Sequence, residues 1–139
     1  MSGPALEKKA SHGAIHEAAY EEARELTTLL RKMADAKGDP TRLLEFAYLL
    51  VEHWETRTLA HATAEEQGLY PDMVEKYPEL CEKIKELKSE HNLLRQLVSE
   101  IQELLPESGV NEEVLSRFDR LLEVNAAHNA KEENQFLQH

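Results

Sequence analysis

Residues 80–105 read LCEKIKELKSEHNLLRQLVSEIQELL and show the clearest periodicity in the chain. Their apolar positions recur at alternating intervals of three and four, which is the spacing of one face of an α-helix. These positions are Leu80, Ile84, Leu87, His91, Leu94, Val98, Ile101 and Leu105. The stretch therefore predicts a long amphipathic helix whose inner face carries one histidine, His91, among aliphatic side chains.

Turn-forming residues separate this stretch from three others with helical periodicity. The breaks are Gly3-Pro4, Gly38-Asp39-Pro40, a longer connection marked by Gly68, Pro71 and Pro78, and Pro106-Glu-Ser-Gly109. Asn111, followed by two glutamates, is typical of a helix N-cap with acids in the first turn. Strand-like alternation is absent from the sequence. We predict an all-α fold, an up-down-up-down antiparallel four-helix bundle, formed by a single domain over residues 1–139.

Composition and charge exclude several classes of partner. The chain has 139 residues and a formal net charge of −11, and its 16 Lys and Arg residues are scattered. An acidic surface repels phosphate backbones, so no nucleic-acid partner is expected. No stretch is apolar enough for a membrane span or a signal peptide, and Cys81 is the single cysteine. We expect a cytoplasmic protein without membrane contact.

One motif with chemical meaning occurs twice. The pattern H-x-x-x-E-E is found at residues 61–66 and again at residues 128–133. Residues four apart lie on the same face of a helix, so His61 pairs with Glu65 and His128 pairs with Glu132. Each copy presents an imidazole beside a carboxylate, and two such pairs that face each other could hold two metal ions.

The heights of the histidines along the bundle can be compared, because residues equally far from a turn lie level in an antiparallel hairpin. The midpoints of His16 and His61, of His61 and His91, and of His91 and His128 all fall within predicted turns. Four histidines, one per helix, are thus predicted to form one layer. The same reasoning places His12, Glu65, Leu87 and Glu132 in a second layer, roughly 6 Å away at about 1.5 Å per residue.

Structural explanations compete with a metal site. A lone core histidine is commonly just hydrogen bonded, and an isolated His-Glu pair is commonly a surface ion pair. Two carboxylates and several imidazoles buried together, however, would be costly without a compensating cation. We expect His53 and His139 to lie outside the cluster, and Glu66 and Glu133 to be solvated because a step of one residue turns them off the inner face.

The same residues resemble the hemerythrin-like family, also described as HHE cation-binding domains. The similarity covers nearly the whole chain and is clearest in HATAEEQGLYP at 61–71, EHNLLRQL at 90–97 and HNAKEENQFL at 128–137. The resemblance implies metal ligation by His16, His61, Glu65, His91, His128 and Glu132. Oxygen-carrying hemerythrins have a second histidine four residues away on the third helix, where this chain has Leu87 and Arg95. We hypothesise that His12 supplies the missing nitrogen.

The resemblance also implies two iron ions bridged by Glu65, by Glu132 and by a solvent oxygen, although the ligand types also suit Mn or Zn. Five imidazoles with three bridges would leave one coordination vacancy, which suits reversible O₂ binding. Four imidazoles would leave both ions open, which suits a redox enzyme acting on peroxide or nitric oxide. A metal-free structural or interaction bundle is the third reading. The sequence leaves open whether the protein is an enzyme, and also its oligomeric state.

Overall fold

The structure, a computed structural model, describes the backbone of residues 4–138 and the side chains of residues 12–135. It is all-α, with no strand in the described part. The helical segments are α1 (Pro4–Asp35), α2 (Pro40–His53), a π-helical segment (Trp54–Leu59), α3 (Ala60–Ala64), a second π-helical segment (Glu65–Leu69), α4 (Tyr70–Lys76), a 3₁₀ turn (Pro78–Leu80), α5 (Cys81–Ser108) and α6 (Glu112–Gln138).

The chain stays helical from residue 40 to residue 76, which corrects the predicted connection at Gly68 and Pro71. Pro71 lies in the first turn of α4, directly after Tyr70, whose N–H bonds to the carbonyl of Glu65 in the i→i−5 pattern. Proline is tolerated in a first turn because the N–H groups there have no acceptor within the helix, so the missing N–H of proline breaks no hydrogen bond. The helix ends instead at Tyr77, which has φ −131° and ψ 80°.

The other helix ends follow local rules. Asn111 caps α6, because its Oδ1 accepts a hydrogen bond of 3.0 Å from the N–H of Val114. Gly109 ends α5 with φ 67°, while Pro106 is contained in the last turn of that helix. At the end of α1 the left-handed residue is Lys37, with φ 54°, and the N–H of Gly38 reaches the carbonyl of Met33.

Among the described side chains, the buried interior consists of two apolar clusters and a set of polar side chains. The larger cluster includes Leu30, Leu50, Trp54, Ile101 and Phe118. The smaller one is formed by Tyr70, Leu80, Ile84 and Leu87. Along α5, His91 follows the smaller cluster and precedes Leu94 of the larger one, so its imidazole is placed where the apolar core is interrupted. Buried polar groups at such a position need partners.

Contacts between helices position this polar layer. Helix α5 packs along α6, α6 along α1, α1 along α2, and α2 along α5. The up-down-up-down antiparallel order stays a prediction. Among the described residues, none of the helices combines the length and the apolar character that crossing a bilayer requires.

Candidate metal centre

The seven residues predicted as ligands converge between the helices. Their ligand atoms form two groups, and within each group the atoms lie within 4.8 Å of one another. The first group is His12, His16, His61 and Glu65, and the second is Glu65, His91, His128 and Glu132. Helices α1 and α3 supply the nitrogens of the first group, while α5 and α6 supply those of the second.

In the first group, three imidazoles surround one oxygen of Glu65. The Nε2 atoms of His12, His16 and His61 lie 2.9, 3.6 and 3.7 Å from Glu65 Oε2. Glu132 Oε1 also belongs to this neighbourhood, since it contacts His12 Nε2 and lies 3.4 Å from His16 Nε2. Three nitrogens and two carboxylate oxygens thus face a common centre.

In the second group, two imidazoles approach each other closely. The Nε2 atoms of His91 and His128 lie 3.0 Å apart. Glu65 Oε1 lies 3.3 Å from His91 Nε2, and Glu132 Oε2 lies 3.3 Å from His128 Nε2. All four side chains are almost completely buried.

Each carboxylate therefore divides its two oxygens between the two groups. Glu65 directs Oε2 toward the first group and Oε1 toward the second, whereas Glu132 directs Oε1 toward the first and Oε2 toward the second. The carboxylates are 3% and 1% exposed, so water does not solvate their charges. This is the arrangement that two bridging carboxylates need between two neighbouring cations.

Two further carboxylates contact the Nδ1 atoms of the imidazoles in the second group, on the side away from its centre. His91 Nδ1 lies 2.6 Å from Glu66 Oε2, which in turn lies 3.1 Å from Arg95 Nη1. The expectation that Glu66 is solvated is therefore wrong. Its side chain is only 23% exposed, because its carboxylate lies between His91 and Arg95. Glu133, at the same position of the second motif, is exposed.

Glu90 plays the corresponding part for His128. Its Oε1 lies 2.8 Å from His128 Nδ1, and its Oε2 lies 2.5 Å from Lys131 Nζ. Sequence reasoning missed Glu90. Two signals for it were available: Glu90 directly precedes His91, and Lys131 follows His128 by three residues. Carboxylates that bind the far nitrogen of a ligating histidine fix its tautomer and raise its basicity.

The donor set fits a cation at each centre. With Nδ1–H donated to Glu66 and Glu90, the neutral rings of His91 and His128 carry lone pairs on Nε2. These lone pairs face each other and two carboxylate oxygens inside the protein, so only a shared cation or additional protons can relieve the repulsion. In the first group, His61 Nε2 is buried and makes no hydrogen bond to any described residue. Mixed imidazole and carboxylate donors suit Fe, Mn or Zn.

Burial and close contact between these side chains shift the pKa values of several of them. Burial opposes ionisation of Glu65, but hydrogen bonds from His12, His16 and His91 outweigh it and hold the pKa of Glu65 well below its ordinary value. Burial likewise opposes protonation of His12, yet Glu132 and Glu65 raise the pKa of His12 to about 9. Burial lowers the pKa of His61. At neutral pH a proton on His12 would therefore balance part of the carboxylate charge when no cation is bound.

Tyr70 is a site residue that sequence reasoning missed. Its hydroxyl donates a hydrogen bond to Glu132 Oε2 and lies 3.4 Å from His91 Nε2, and its ring stacks on that of His91 at 5.5 Å between centroids. Tyr70 follows Glu65 by five residues, which at about 100° per residue would turn it roughly 140° away in a regular helix. The π-helical segment between them brings it back to the inner face.

Other histidines lie elsewhere. His53 Nε2 is 2.9 Å from Glu22 Oε2, next to Arg57, and belongs to neither group. His139 falls outside the described residues. A cavity of about 550 Å³ is lined by His16, His61, His91 and His128, and also by Ala14, Ala18 and Ala19 of α1. The cavity therefore borders residues of both groups.

The comparisons with known proteins agree with this geometry. The family model described as "Hemerythrin HHE cation binding domain" matches residues 6–139. Searches of the curated proteins and of the solved structures gave no significant match. Because the match covers essentially the whole chain and includes all seven converging residues, the chain belongs to the hemerythrin HHE cation-binding domain family.

Proposed function

We propose that this protein is a non-haem di-iron protein that binds O₂ or a related small oxidant at the two groups of ligands. The observation that carries the proposal is the division of Glu65 and Glu132, each of which offers one oxygen to each group. A single ion would leave the other two carboxylate oxygens buried without a counter-charge. Two ions share both carboxylates and satisfy all seven residues.

In this proposal His12, His16 and His61 hold one iron, and His91 and His128 hold the other. Bound iron supplies reversible redox chemistry and affinity for small oxidants. The chain supplies the rest: buried carboxylates that keep the ions together, Glu66 and Glu90 that orient the imidazoles of the second group, and a cavity that admits a small molecule. The second group offers fewer nitrogens than the first, which leaves room at its ion for a further oxygen donor or for an external ligand.

Iron titration with optical spectroscopy tests this proposal. Ferrous iron added anaerobically should bind at two ions per chain, and admission of air should produce a visible charge-transfer band. Glu65→Gln should lower the stoichiometry, because it removes the charge of one bridge while keeping the shape of the side chain. His53→Gln is the matched control, since His53 is a partly buried histidine outside both groups. Wild-type protein that binds no iron would refute the proposal.

A redox enzyme acting on peroxide or nitric oxide is the second candidate. The size of the cavity favours it, because about 550 Å³ exceeds what a diatomic molecule occupies and leaves room for water and product exchange. Sustained turnover of hydrogen peroxide by iron-loaded protein, lost in Glu65→Gln, would select this function. Reversible oxygenation without turnover would select the carrier. An unchanged melting temperature after chelation would instead indicate a metal-free interaction bundle.

A further inference from the structure

The hydroxyl oxygen is the one polar atom of the Tyr70 side chain, and it lies beside the second group of ligands. The side chain is 1% exposed, and its ring lies in the small apolar cluster with Leu80, Ile84 and Leu87. In the predicted second layer, formed by His12, Glu65, Leu87 and Glu132, three residues can bind a metal. Leu87 of α5 is the one that cannot. The phenol of Tyr70, which packs in the same cluster as Leu87, offers an oxygen there instead.

The hydroxyl oxygen of Tyr70 is a neighbour of two ligand atoms of that group. It hydrogen bonds to Glu132 Oε2 and lies 3.4 Å from His91 Nε2. For comparison, Glu132 Oε2 lies 3.3 Å and His91 Nε2 lies 3.0 Å from His128 Nε2. The phenol oxygen is therefore about as near to these two ligand atoms as they are to His128 Nε2.

Counting donors shows what this oxygen would complete. Beyond the two shared carboxylates, the first group has three nitrogens, from His12, His16 and His61, but the second has two, from His91 and His128. We propose that the Tyr70 oxygen is the third non-bridging donor of the second group and binds its metal directly. The inference rests on the proposed function, because it requires that a metal binds there. Phenolate is an established ligand of ferric iron in proteins.

Metal binding by Tyr70 requires one proton to leave. The O–H proton that Tyr70 donates to Glu132 would pass to solvent if a metal took its place, and Glu132 Oε2 would then be free to bind the same ion. Stacking on His91 fixes the orientation of the Tyr70 ring, since the two ring planes are nearly parallel, at 9°. The alternative is that Tyr70 keeps its proton and merely positions Glu132 by hydrogen bonding.

Resonance Raman spectroscopy of the ferric protein separates these roles. If Tyr70 binds iron, excitation in the visible band should enhance phenolate ring vibrations, and incorporation of ring-deuterated tyrosine should shift them. This measurement uses the wild-type chain and does not depend on any variant. Iron binding is quantified first. Two irons per chain without phenolate vibrations would overturn the inference and leave the proposed function intact, whereas absence of iron would overturn both.

Variants then assign the signal to one tyrosine. Tyr70→Phe should abolish the phenolate vibrations and loosen one of the two irons by on the order of tenfold or more, because it removes a donor from one ion only. Tyr48→Phe is the matched control, since Tyr48 is 41% exposed and should leave the spectrum unchanged. Retention of the phenolate vibrations in Tyr70→Phe would overturn the assignment.

Discussion

His91 and His128 face each other through their Nε2 atoms, which lie 3.0 Å apart in the buried centre of the molecule. Both rings hold a carboxylate at Nδ1, so the facing nitrogens are lone-pair donors when the rings are neutral. Two imidazoles packed in this way repel each other unless a cation or a proton lies between them. The stability of the fold and the occupancy of the site are therefore linked.

Removal of the metal should destabilise the protein. A ligand that binds only the folded state at about a thousand times its dissociation constant adds about 4 kcal/mol of stability. We expect the melting temperature of iron-loaded protein, measured by calorimetry, to fall when a chelator is added. Glu132→Gln should show a much smaller response, because it loses a bridging charge. Equal melting temperatures of the wild-type protein with and without chelator would contradict the prediction.

The carboxylates behind the second group should tune its affinity. Glu66→Gln or Glu90→Gln removes the charge that orients His91 or His128, and changes of this kind weaken metal binding by about 10- to 100-fold. Competition against a metal-responsive dye measures the loss. Glu133→Gln is the matched control, because Glu133 occupies the position of Glu66 in the repeated motif but is exposed. Equal affinities for Glu66→Gln and Glu133→Gln would rule out this role.

The metal-free protein should lose stability in alkali. Burial disfavours the charged form of His12, but Glu132 and Glu65 raise its pKa to about 9, above the ordinary value of 6.5. A raised folded pKa contributes stability that is complete below about 6.5 and is lost as the pH rises through about 9. Urea unfolding at a series of pH values should show a loss of up to about 3 kcal/mol over that window.

His12→Gln provides the control for this pH dependence. The variant keeps a polar side chain but cannot be protonated in this range, so its stability should change less between pH 6.5 and 9. His128 contributes in the same direction, because Glu132 and Glu90 raise its pKa against the opposing effect of burial. A wild-type curve that is flat, or that rises with pH over this window, would contradict the assignment.

A helix cap away from the site offers a test of stability alone. Asn111→Ala removes the acceptor for the Val114 N–H at the start of α6 and should cost about 1 kcal/mol of unfolding free energy. Iron stoichiometry and affinity should be unchanged, because the proposed ligands His128 and Glu132 lie several turns further along α6. Loss of iron binding in this variant would show that the start of α6 and the site are coupled.

Much of the fold could be predicted from local pattern. The helical class followed from spacing, and both ends of α1, both ends of α5 and the start of α6 lie at or next to the predicted breaks. The prediction of a connection at Gly68 and Pro71 is wrong, because neither glycine nor a proline in a first turn necessarily ends a helix. Here the π-helical segment contains Gly68, and Pro71 lies in the first turn of α4, which follows it. Such a segment depends on packing around it, and no residue type specifies it strongly.

The sequence by itself determined which side chains share a helix face, because a regular helix repeats every 3.6 residues and relates His12 to His16, His61 to Glu65, and His128 to Glu132. It also determined the acidic, helix-favouring composition and the family. Only the tertiary structure decided how the carboxylate oxygens divide between two groups, which carboxylates hold His91 and His128, and that Tyr70 joins them. Those relationships connect different helices, or cross a π-helical segment that shifts the phase, so periodicity along one helix does not contain them.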